Sequence, residues 1–90
     1  MLTNFGKKFD KQYQKADFKI KKAFGLRLKL FKQNPIDISL NNHPLTGSHL
    51  GKRSINITGD WRAIYSEITN KEGEKAITFH LLGTHSQLYK

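Results

Sequence analysis

The residues best suited to chemistry lie in the segment 59–65, which reads Gly-Asp-Trp-Arg-Ala-Ile-Tyr. It places a carboxylate (Asp60), an indole (Trp61) and a guanidinium (Arg62) side by side, directly after a glycine that favours a turn. A carboxylate can orient a histidine or accept a proton, and a guanidinium can hold a phosphate through its planar fork. We therefore expect the functional site at the N-terminal end of the strand that begins here.

Histidine supplies further candidates for proton transfer, because its pKa near ~6.5 lets it give or take a proton at neutral pH. His43 lies in segment 35–52, where Pro, Asn and Gly recur and predict a long loop, and His85 lies close to the end of the chain. Long loops on small domains often carry function. Lys52 and Arg53 follow at the end of this loop and suit a phosphate group.

Each candidate also has a structural interpretation. Asp60 suits a turn, and Trp61 suits a core position at the start of a strand. His43 can simply shape its loop, and His85 can cap a last helical turn. His80 alternates with apolar neighbours and is interpreted as structural. The histidines lack the close spacing of zinc ligands, so we predict no metal and no other cofactor at His43, His49, His80 and His85.

The N-terminal third of the chain predicts two amphipathic helices that form a hairpin. Their apolar residues recur near every fourth position, at Phe5, Phe9, Tyr13 and Ala16 and then at Ile20, Ala23, Phe24, Leu28 and Phe31. Asp17 can cap the second helix, and Asn34-Pro35 ends it. Gly25 interrupts the second pattern at a cost of about 1 kcal/mol relative to Ala, so we expect the backbone there to pack closely against another group.

Alternating apolar residues predict a small antiparallel sheet in the rest of the chain. After residue 52 the apolar period becomes two, and turns at 59–60 and 70–74 separate three strands over residues 53–58, 61–68 and 76–83. Residues 2–5 add a short edge strand. The expected fold is α+β, with the N-terminal helical hairpin packed on the sheet, in a single domain over residues 1–90.

The charge distribution indicates an anionic partner. The chain carries 16 Lys and Arg against 7 Asp and Glu, a net charge of +9. Residues 1–33 hold ten of the cations and two of the acids, so nearly all of the excess lies on the predicted helices. Such asymmetry favours a polyanion, with nucleic acid ahead of a merely solvated helix surface.

Composition excludes several classes of protein. A chain of 90 residues buries only a modest core. The absence of cysteine excludes disulfides and thiolate chemistry. The first residues contain no apolar stretch typical of a signal peptide, and no apolar run is long enough to span a membrane. We therefore expect no membrane partner and a cytoplasmic location.

Three short motifs run through the chain in order: His-Pro-Leu at 43–45 with Gly47 and Gly51, the segment 59–65, and Gly-Thr-His-Ser-Gln-Leu-Tyr at 83–89. In type and spacing they resemble the RelE-type toxins of bacterial type II toxin–antitoxin systems, and most of all the YafQ-like branch. The resemblance implies a RelE-like fold and a ribosome-dependent mRNA endonuclease that inhibits translation. It also implies a cognate antitoxin protein, bound to the toxin in a hetero-oligomeric complex.

The resemblance implies roles for individual residues. The family's catalytic histidine in the Gly-Thr-His motif falls on His85, and its Asp-Trp aspartate falls on Asp60. A further histidine falls on His43, and the arginine at the strand start falls on Arg62. One departure is Asn56, where the YafQ branch typically has a histidine. Because an amide cannot carry a proton near neutral pH, the family's full catalytic set is not reproduced at that position.

The chemistry of RNA cleavage without a metal fits these residue types. The 2′-OH must lose its proton, charge on the phosphate must be stabilised, and the departing 5′-oxygen must gain a proton. Arg62, Lys52 and Arg53 suit the phosphate of mRNA or rRNA. Trp61 and Tyr89, which matches the family's terminal aromatic, suit stacking on splayed bases. Either Asp60 or His43 can supply the base.

Two other classes of function stay open from the sequence. One is a toxin of the same fold without nuclease activity, such as the ParE-like proteins that act on DNA gyrase. The other is a non-catalytic protein that binds RNA or the ribosome. The second class needs the basic helices but has no use for His85 or Asp60, so substitution of these residues separates it from a nuclease.

Overall fold

The chain folds into a five-stranded sheet with two helices on one face and a short helix on the other. The computed structural model describes residues 1–89. In chain order the elements are β1 (Leu2–Phe5), α1 (Lys7–Lys15), α2 (Phe18–Gln33), β2 (His43–Pro44), β3 (Arg53–Asn56), β4 (Trp61–Thr69), β5 (Lys75–Thr84) and α3 (His85–Leu88). The fold class is α+β, as predicted.

The helical hairpin forms as the sequence predicts. The Asp17 carboxylate accepts a hydrogen bond of 2.9 Å from the Ile20 amide and so caps α2. The helix stops at Gln33, because the following Pro35 cannot continue it. The apolar stripes of both helices pack on the sheet around the buried Phe9, Phe24 and Phe31. In residues 1–89 no helix combines the length and apolar character that a membrane span requires.

The sheet has the strand order β1-β5-β4-β3-β2 and is mixed. The antiparallel meander of β3, β4 and β5 and the edge strand β1 are both confirmed. β1 pairs with β5 in parallel, and the chain between these two strands runs through the helical hairpin and the strands β2, β3 and β4. β2 adds a two-residue strand inside the predicted loop, where His43 pairs with Ser54.

A bulge in β5 changes which side chains face the helices. Ile64 pairs with Leu81 whereas Tyr65 pairs with Phe79, so His80 is the extra residue. Before the bulge Phe79 packs toward the helices, and after it Leu81 packs on the opposite face. The bulge therefore determines which face of the sheet each side chain points to in the last part of β5, just before α3.

Gly25 does not make the close backbone contact that the sequence predicts. It lies exposed in the middle of α2, and a Cβ added there would meet no atom within 4 Å. The helix thus carries the cost of an interior glycine, about 1 kcal/mol relative to Ala, without a packing reason within the chain. The expectation of a close intramolecular contact is wrong.

Candidate active site

An open cleft of about 420 Å³ lies on the sheet face opposite α1 and α2. The loop before β3 supplies one wall, β4 supplies the floor, and α3 with the following residue supplies the other wall. The side chains that line it and carry chemistry are those of His43, Arg62, His85 and Tyr89, joined by Asn41, Pro44, Leu45 and Thr46. Three of the four residues predicted to be catalytic therefore share one cleft.

The backbone of β4 and the first turn of α3 fix the position of His85. Its amide donates a hydrogen bond of 2.9 Å to the Asp60 carbonyl. The Thr84 hydroxyl accepts from the Gln87 amide while the Gln87 side chain accepts from the Thr84 amide, which is a complete capping box. The imidazole of His85 is exposed and contacts the Tyr89 ring at a centroid distance of 4.7 Å. A solvent-accessible histidine on a capped turn suits proton transfer to a bound ligand.

One edge of the Arg62 guanidinium is held by the β3–β4 turn. Its Nη1 donates to three backbone carbonyls, those of Thr58 at 3.0 Å, Gly59 at 3.1 Å and Trp61 at 3.0 Å. Within residues 1–89 its Nε and Nη2 make no hydrogen bond, and the side chain borders the cleft. The anchored edge fixes the orientation of the group, and the other donors are left for an anion.

His43 is held in one tautomer by its own loop. Its Nδ1 donates a hydrogen bond of 2.7 Å to the carbonyl of Asn41, an atom that can only accept. In the neutral ring Nε2 is therefore the unprotonated nitrogen. Asn41 has a φ of 45°, in the left-handed region that asparagine tolerates, and this geometry turns its carbonyl toward the ring. A neutral histidine with a free Nε2 can accept a proton.

The Tyr89 ring is packed between two histidines. His85 lies on one side, and the His49 ring lies at 6.0 Å in an edge-to-face arrangement. The Tyr89 hydroxyl donates to the buried Ser54 hydroxyl at 2.9 Å. These contacts hold the ring against the sheet at the border of the cleft, and the base-stacking role of Tyr89 stays a prediction.

The same packing includes two residues to which sequence reasoning gave no role at the site. His49 Nε2 donates to the Leu88 carbonyl at 3.0 Å and so ties the loop to the end of α3. Gly83 lies under α3, where an added Cβ would come within 3.0 Å of the Gln87 side chain and 3.2 Å of Leu88. The glycine in the Gly-Thr-His motif could have signalled this close approach, whereas the His49 contact had no sequence signal.

Other predicted residues lie outside the cleft. Trp61 packs with the core on the helix side of the sheet, next to Ala16 and Leu82, because it alternates with Arg62 along β4. This is the core position that the sequence left open as an alternative. The Asp60 carboxylate is exposed and does not line the cleft, although its carbonyl holds His85.

The two basic residues at the loop end are also separated from the cleft. Arg53 Nε donates to the Asn42 side chain at 2.8 Å, and Asn42 in turn donates to the Tyr65 hydroxyl at 2.7 Å. This network ties the loop to the sheet next to the helices. Lys52 lies close enough to His80 to affect its charge: burial lowers the pKa of His80, and the ammonium of Lys52 lowers it further. Neither cation lines the cleft, so Arg62 is its positive group among residues 1–89.

Asn56 lies beside the cleft rather than in its lining. It pairs with Arg62 across β3 and β4, so the two residues are direct neighbours on adjacent strands. Its Oδ1 is buried and accepts no hydrogen bond from the residues that the structure describes. A buried amide oxygen without a partner costs stability rather than adding to it.

No metal-binding constellation is evident in the described part of the chain. Across residues 1–89, no group of three or more His, Asp or Glu residues is arranged to hold an ion. His80, one of the four histidines, instead lies 2.7 Å from the Ser66 hydroxyl through its Nε2. That contact fits its interpretation as a structural residue.

Comparison with solved structures identifies the fold. The YoeB/ParE toxin from Agrobacterium tumefaciens superposes with a TM-score of 0.75 at 19% identity, over 94% of this chain and 99% of that one. YafQ from E. coli strain BL21(DE3) gives a TM-score of 0.68 at 25% identity, over 98% and 97%. The E. coli DinJ–YafQ complex gives a TM-score of 0.65 at 26% identity, over 98% and 97%. No curated protein sequence gives a significant match.

Comparison with protein families gives a match over the whole sequence. Residues 1–90 match the model of the YafQ toxin, described as a bacterial toxin of type II toxin–antitoxin systems. The match includes all three motifs that carry the sequence resemblance and every residue of the cleft. The chain therefore belongs to the YafQ family of bacterial type II toxin–antitoxin toxins.

Proposed function

We propose that this toxin is a ribosome-dependent mRNA endonuclease that inhibits translation through metal-independent acid–base cleavage. The observation that carries the proposal is the convergence of His43, Arg62 and His85 in one open cleft. Two histidines and a guanidinium supply a base, an acid and a phosphate-binding group, which are the three needs of cleavage by the 2′-OH. Residues 1–90 act as one toxin domain, which is supported by the single five-stranded sheet that packs α1 and α2 on one face and α3 on the other.

The roles follow from the geometry of each side chain. His43 takes the 2′-OH proton on Nε2, because its Nδ1 hydrogen is committed to the Asn41 carbonyl. The 2′-oxygen then attacks the phosphorus, and the P–O5′ bond breaks to leave a cyclic 2′,3′-phosphate. His85 donates its proton to the departing 5′-oxygen, while the free edge of Arg62 holds the charge on the phosphate. Asp60 acts through its carbonyl, which positions His85.

Dependence on the ribosome fits the shape and the charge of the molecule. The cleft is open and has one guanidinium, so the chain by itself offers mRNA little binding surface. The cations of α1 and α2 lie on the other face of the sheet, where they suit the phosphates of rRNA. The ribosome would hold both toxin and mRNA and supply the alignment that the cleft lacks. Its place of action would then be the cytoplasm.

A protein antitoxin is the second partner of the proposed function. The E. coli YafQ of comparable fold is found in a complex with DinJ, described as a toxin–antitoxin complex. We expect this chain to form a hetero-oligomeric complex with its own antitoxin. The complex should neutralise toxicity without requiring the proton-transfer groups of the cleft.

The test is cleavage of a defined mRNA on purified ribosomes. One message is all-RNA, and a matched message carries a single 2′-deoxy nucleotide at the cleaved position. Cleavage should occur in the first and fail in the second, and it should persist at EDTA concentrations that leave the ribosomes intact. Cleavage of the deoxy message would contradict the role of the 2′-OH. Inhibition of DNA supercoiling by gyrase, with translation unaffected, would favour the ParE-like alternative instead.

A further inference from the structure

We infer that the outer face of α2 around Gly25 docks an acidic segment of a protein partner, with one large apolar side chain inserted beside the glycine. The inference rests on the proposed function only in naming that partner, which would be the antitoxin. The surface lies across the sheet from the cleft, so its occupation and the catalytic chemistry can be measured separately.

The first observation is a glycine with no role inside the chain. Gly25 interrupts a regular helix, where glycine is the least favourable residue apart from proline. An added Cβ would meet no atom of residues 1–89 within 4 Å, so no neighbour in this part of the chain requires the missing side chain. A small residue at such a place leaves room for a group from outside the chain.

The second observation is an apolar cavity at the same position. Gly25 borders an open cavity of about 320 Å³ between β1, α1 and α2. The other lining residues are Phe5, Phe9, Asp10, Tyr13, Phe24 and Leu28. Phe5 is 41% exposed although its ring stacks on the core ring of Phe79 at 5.8 Å. The cavity is large enough for one leucine or aromatic side chain, and its aromatic rim offers apolar contact.

The third observation is the charge around the cavity. Lys21, Lys22 and Lys29 stand three or four residues from Gly25 along α2, which places them on the same side of the helix. The Lys21 ammonium lies 5.7 Å from the centre of the Tyr13 ring, at the rim of the cavity. In residues 1–89 the one ion pair joins Lys75 to Glu67, so these three lysines have no acidic partner.

The combination favours one kind of occupant. A second copy of this chain would bring its own charge of +9 against the same lysines, which opposes self-association here. A nucleic acid such as rRNA would satisfy the lysines, but it carries no branched aliphatic group and would leave the cavity unfilled. A protein segment with glutamates or aspartates around one apolar residue satisfies both features.

The test uses two blocked peptides of equal charge and monitors backbone amide signals of the full-length toxin by NMR. In one peptide glutamates flank a single leucine, and in the other a serine replaces the leucine. The leucine peptide should bind at least about tenfold more tightly, because burial of a leucine is worth roughly that factor or more. Its contacts should shift the signals of Gly25 and Leu28. Equal affinity for both peptides, or shifts confined to the lysines, would overturn the inference.

Two pairs of variants locate the site. Gly25→Leu fills the cavity and should lower the affinity for the leucine peptide at least tenfold. Gln33→Leu adds the same side chain at the end of α2 and should leave that affinity unchanged. Lys21→Glu should weaken it by repulsion, and Lys71→Glu makes the same charge change in the turn between β4 and β5 as the control. If Gly25→Leu fails to fold, the comparison of Lys21→Glu with Lys71→Glu tests the site by itself. Unchanged binding in folded Gly25→Leu or in Lys21→Glu would contradict the site.

Cleavage of mRNA on ribosomes is measured with the same proteins, so that the two proposals can fail separately. Gly25→Leu should cleave as the wild type does, because it is remote from His85 and Arg62 and leaves every cation of α1 and α2 in place. If the wild-type chain discriminates between the peptides but cleaves no RNA, the proposed docking site is supported and the proposed nuclease activity is contradicted. If the chain cleaves RNA but binds both peptides equally, only the docking site is contradicted.

Discussion

The amide of His85 donates a 2.9 Å hydrogen bond to the carbonyl of Asp60. This single bond joins the start of β4 to the start of α3, and it extends the pairing of Trp61 with Thr84 by one residue. Asp60 of the segment 59–65 and His85 of the segment 83–89 are thereby fixed next to each other. The contact is made by backbone atoms, so it constrains the position of His85 without involving the Asp60 carboxylate.

The first prediction concerns His85 as the general acid. His85→Ala should reduce cleavage on ribosomes by about 10²–10⁴-fold, because a positioned acid–base group contributes that much to a rate. Its exposed imidazole makes no hydrogen bond in the described part of the chain and packs only on the Tyr89 ring there, so the free energy of unfolding should fall by about 1 kcal/mol or less. Single-turnover cleavage and urea denaturation measure the two quantities.

Two neighbouring substitutions control for the loss of His85. Ser86→Ala changes the next exposed residue of α3 and should leave the rate near the wild-type value. Asn56→Ala removes an amide whose Oδ1 is buried without a partner, so it should cost less than tenfold in rate and little or no stability. A His85→Ala protein as active as Ser86→Ala would remove His85 from the mechanism.

The second prediction concerns the orientation of Arg62. Arg62→Ala should lower the rate by about 10²–10³-fold, the usual cost of removing a donor that stabilises developing negative charge. Arg62→Lys should recover only part of the loss, because an ammonium can neither bridge three carbonyls of the turn nor present a free planar edge. Lys71→Ala, which removes an equal charge from the turn between β4 and β5, is the control. Full activity of Arg62→Lys would show that charge alone suffices.

Local patterns predicted most of the fold. The hairpin and the meander follow from apolar periods, caps and turns that act over a few residues, such as Asp17 before α2. The motif positions also converge, since His43, Arg62 and His85 meet in one cleft. These features were accessible because each depends on neighbouring residues or on a motif whose members keep their order.

Features that depend on distant contacts were not accessible. Trp61 and Arg62 point to opposite faces of the sheet, and which of them reaches the cleft depends on which face the helices cover. Both residue types suit a functional site, so the sequence alone does not distinguish them. The bulge at His80 reverses the alternation of β5 without any glycine or proline to signal it. The bond from His49 to Leu88 joins a loop to the chain end and leaves no local pattern.

The third prediction concerns stability in acid. Burial and, secondarily, Lys52 lower the pKa of His80 in the folded protein below its usual value near ~6.5. The unfolded chain therefore binds more protons as the pH falls below that value, so the stabilising contribution is present above pH ~6.5 and is lost as the pH drops through the folded pKa. The free energy of unfolding should decline from pH 7 to pH 5 more steeply in the wild type than in His80→Gln.

The control for acid stability retains the histidine. Ser66→Ala removes the hydroxyl that lies 2.7 Å from His80 Nε2 but leaves the ring partly buried, so the pH dependence should persist. Denaturant titrations at several pH values measure each variant. Parallel curves for the wild type and His80→Gln would assign the acid sensitivity to other groups.

The last prediction concerns His49 as a positioning residue for His85. His49 Nε2 donates to the Leu88 carbonyl at 3.0 Å, and its ring contacts Tyr89, which in turn contacts His85. His49→Phe retains an aromatic ring but removes the donor. It should cost about 0.5–1.5 kcal/mol of stability and leave the end of α3 less constrained. We expect cleavage to fall by roughly 5–10-fold, equivalent to about 1–1.4 kcal/mol of barrier.

A donor at the same place should restore what His49→Phe loses. His49→Gln can present its amide N–H to the Leu88 carbonyl, so both stability and rate should return toward the wild type. NMR signals of the His85 imidazole report the position of the ring, and a loss of stability alone would not change them. Its signals should broaden or shift in His49→Phe and recover in His49→Gln. If His49→Phe loses stability while its His85 signals and its rate match the wild type, then His49 supports the fold and does not position His85.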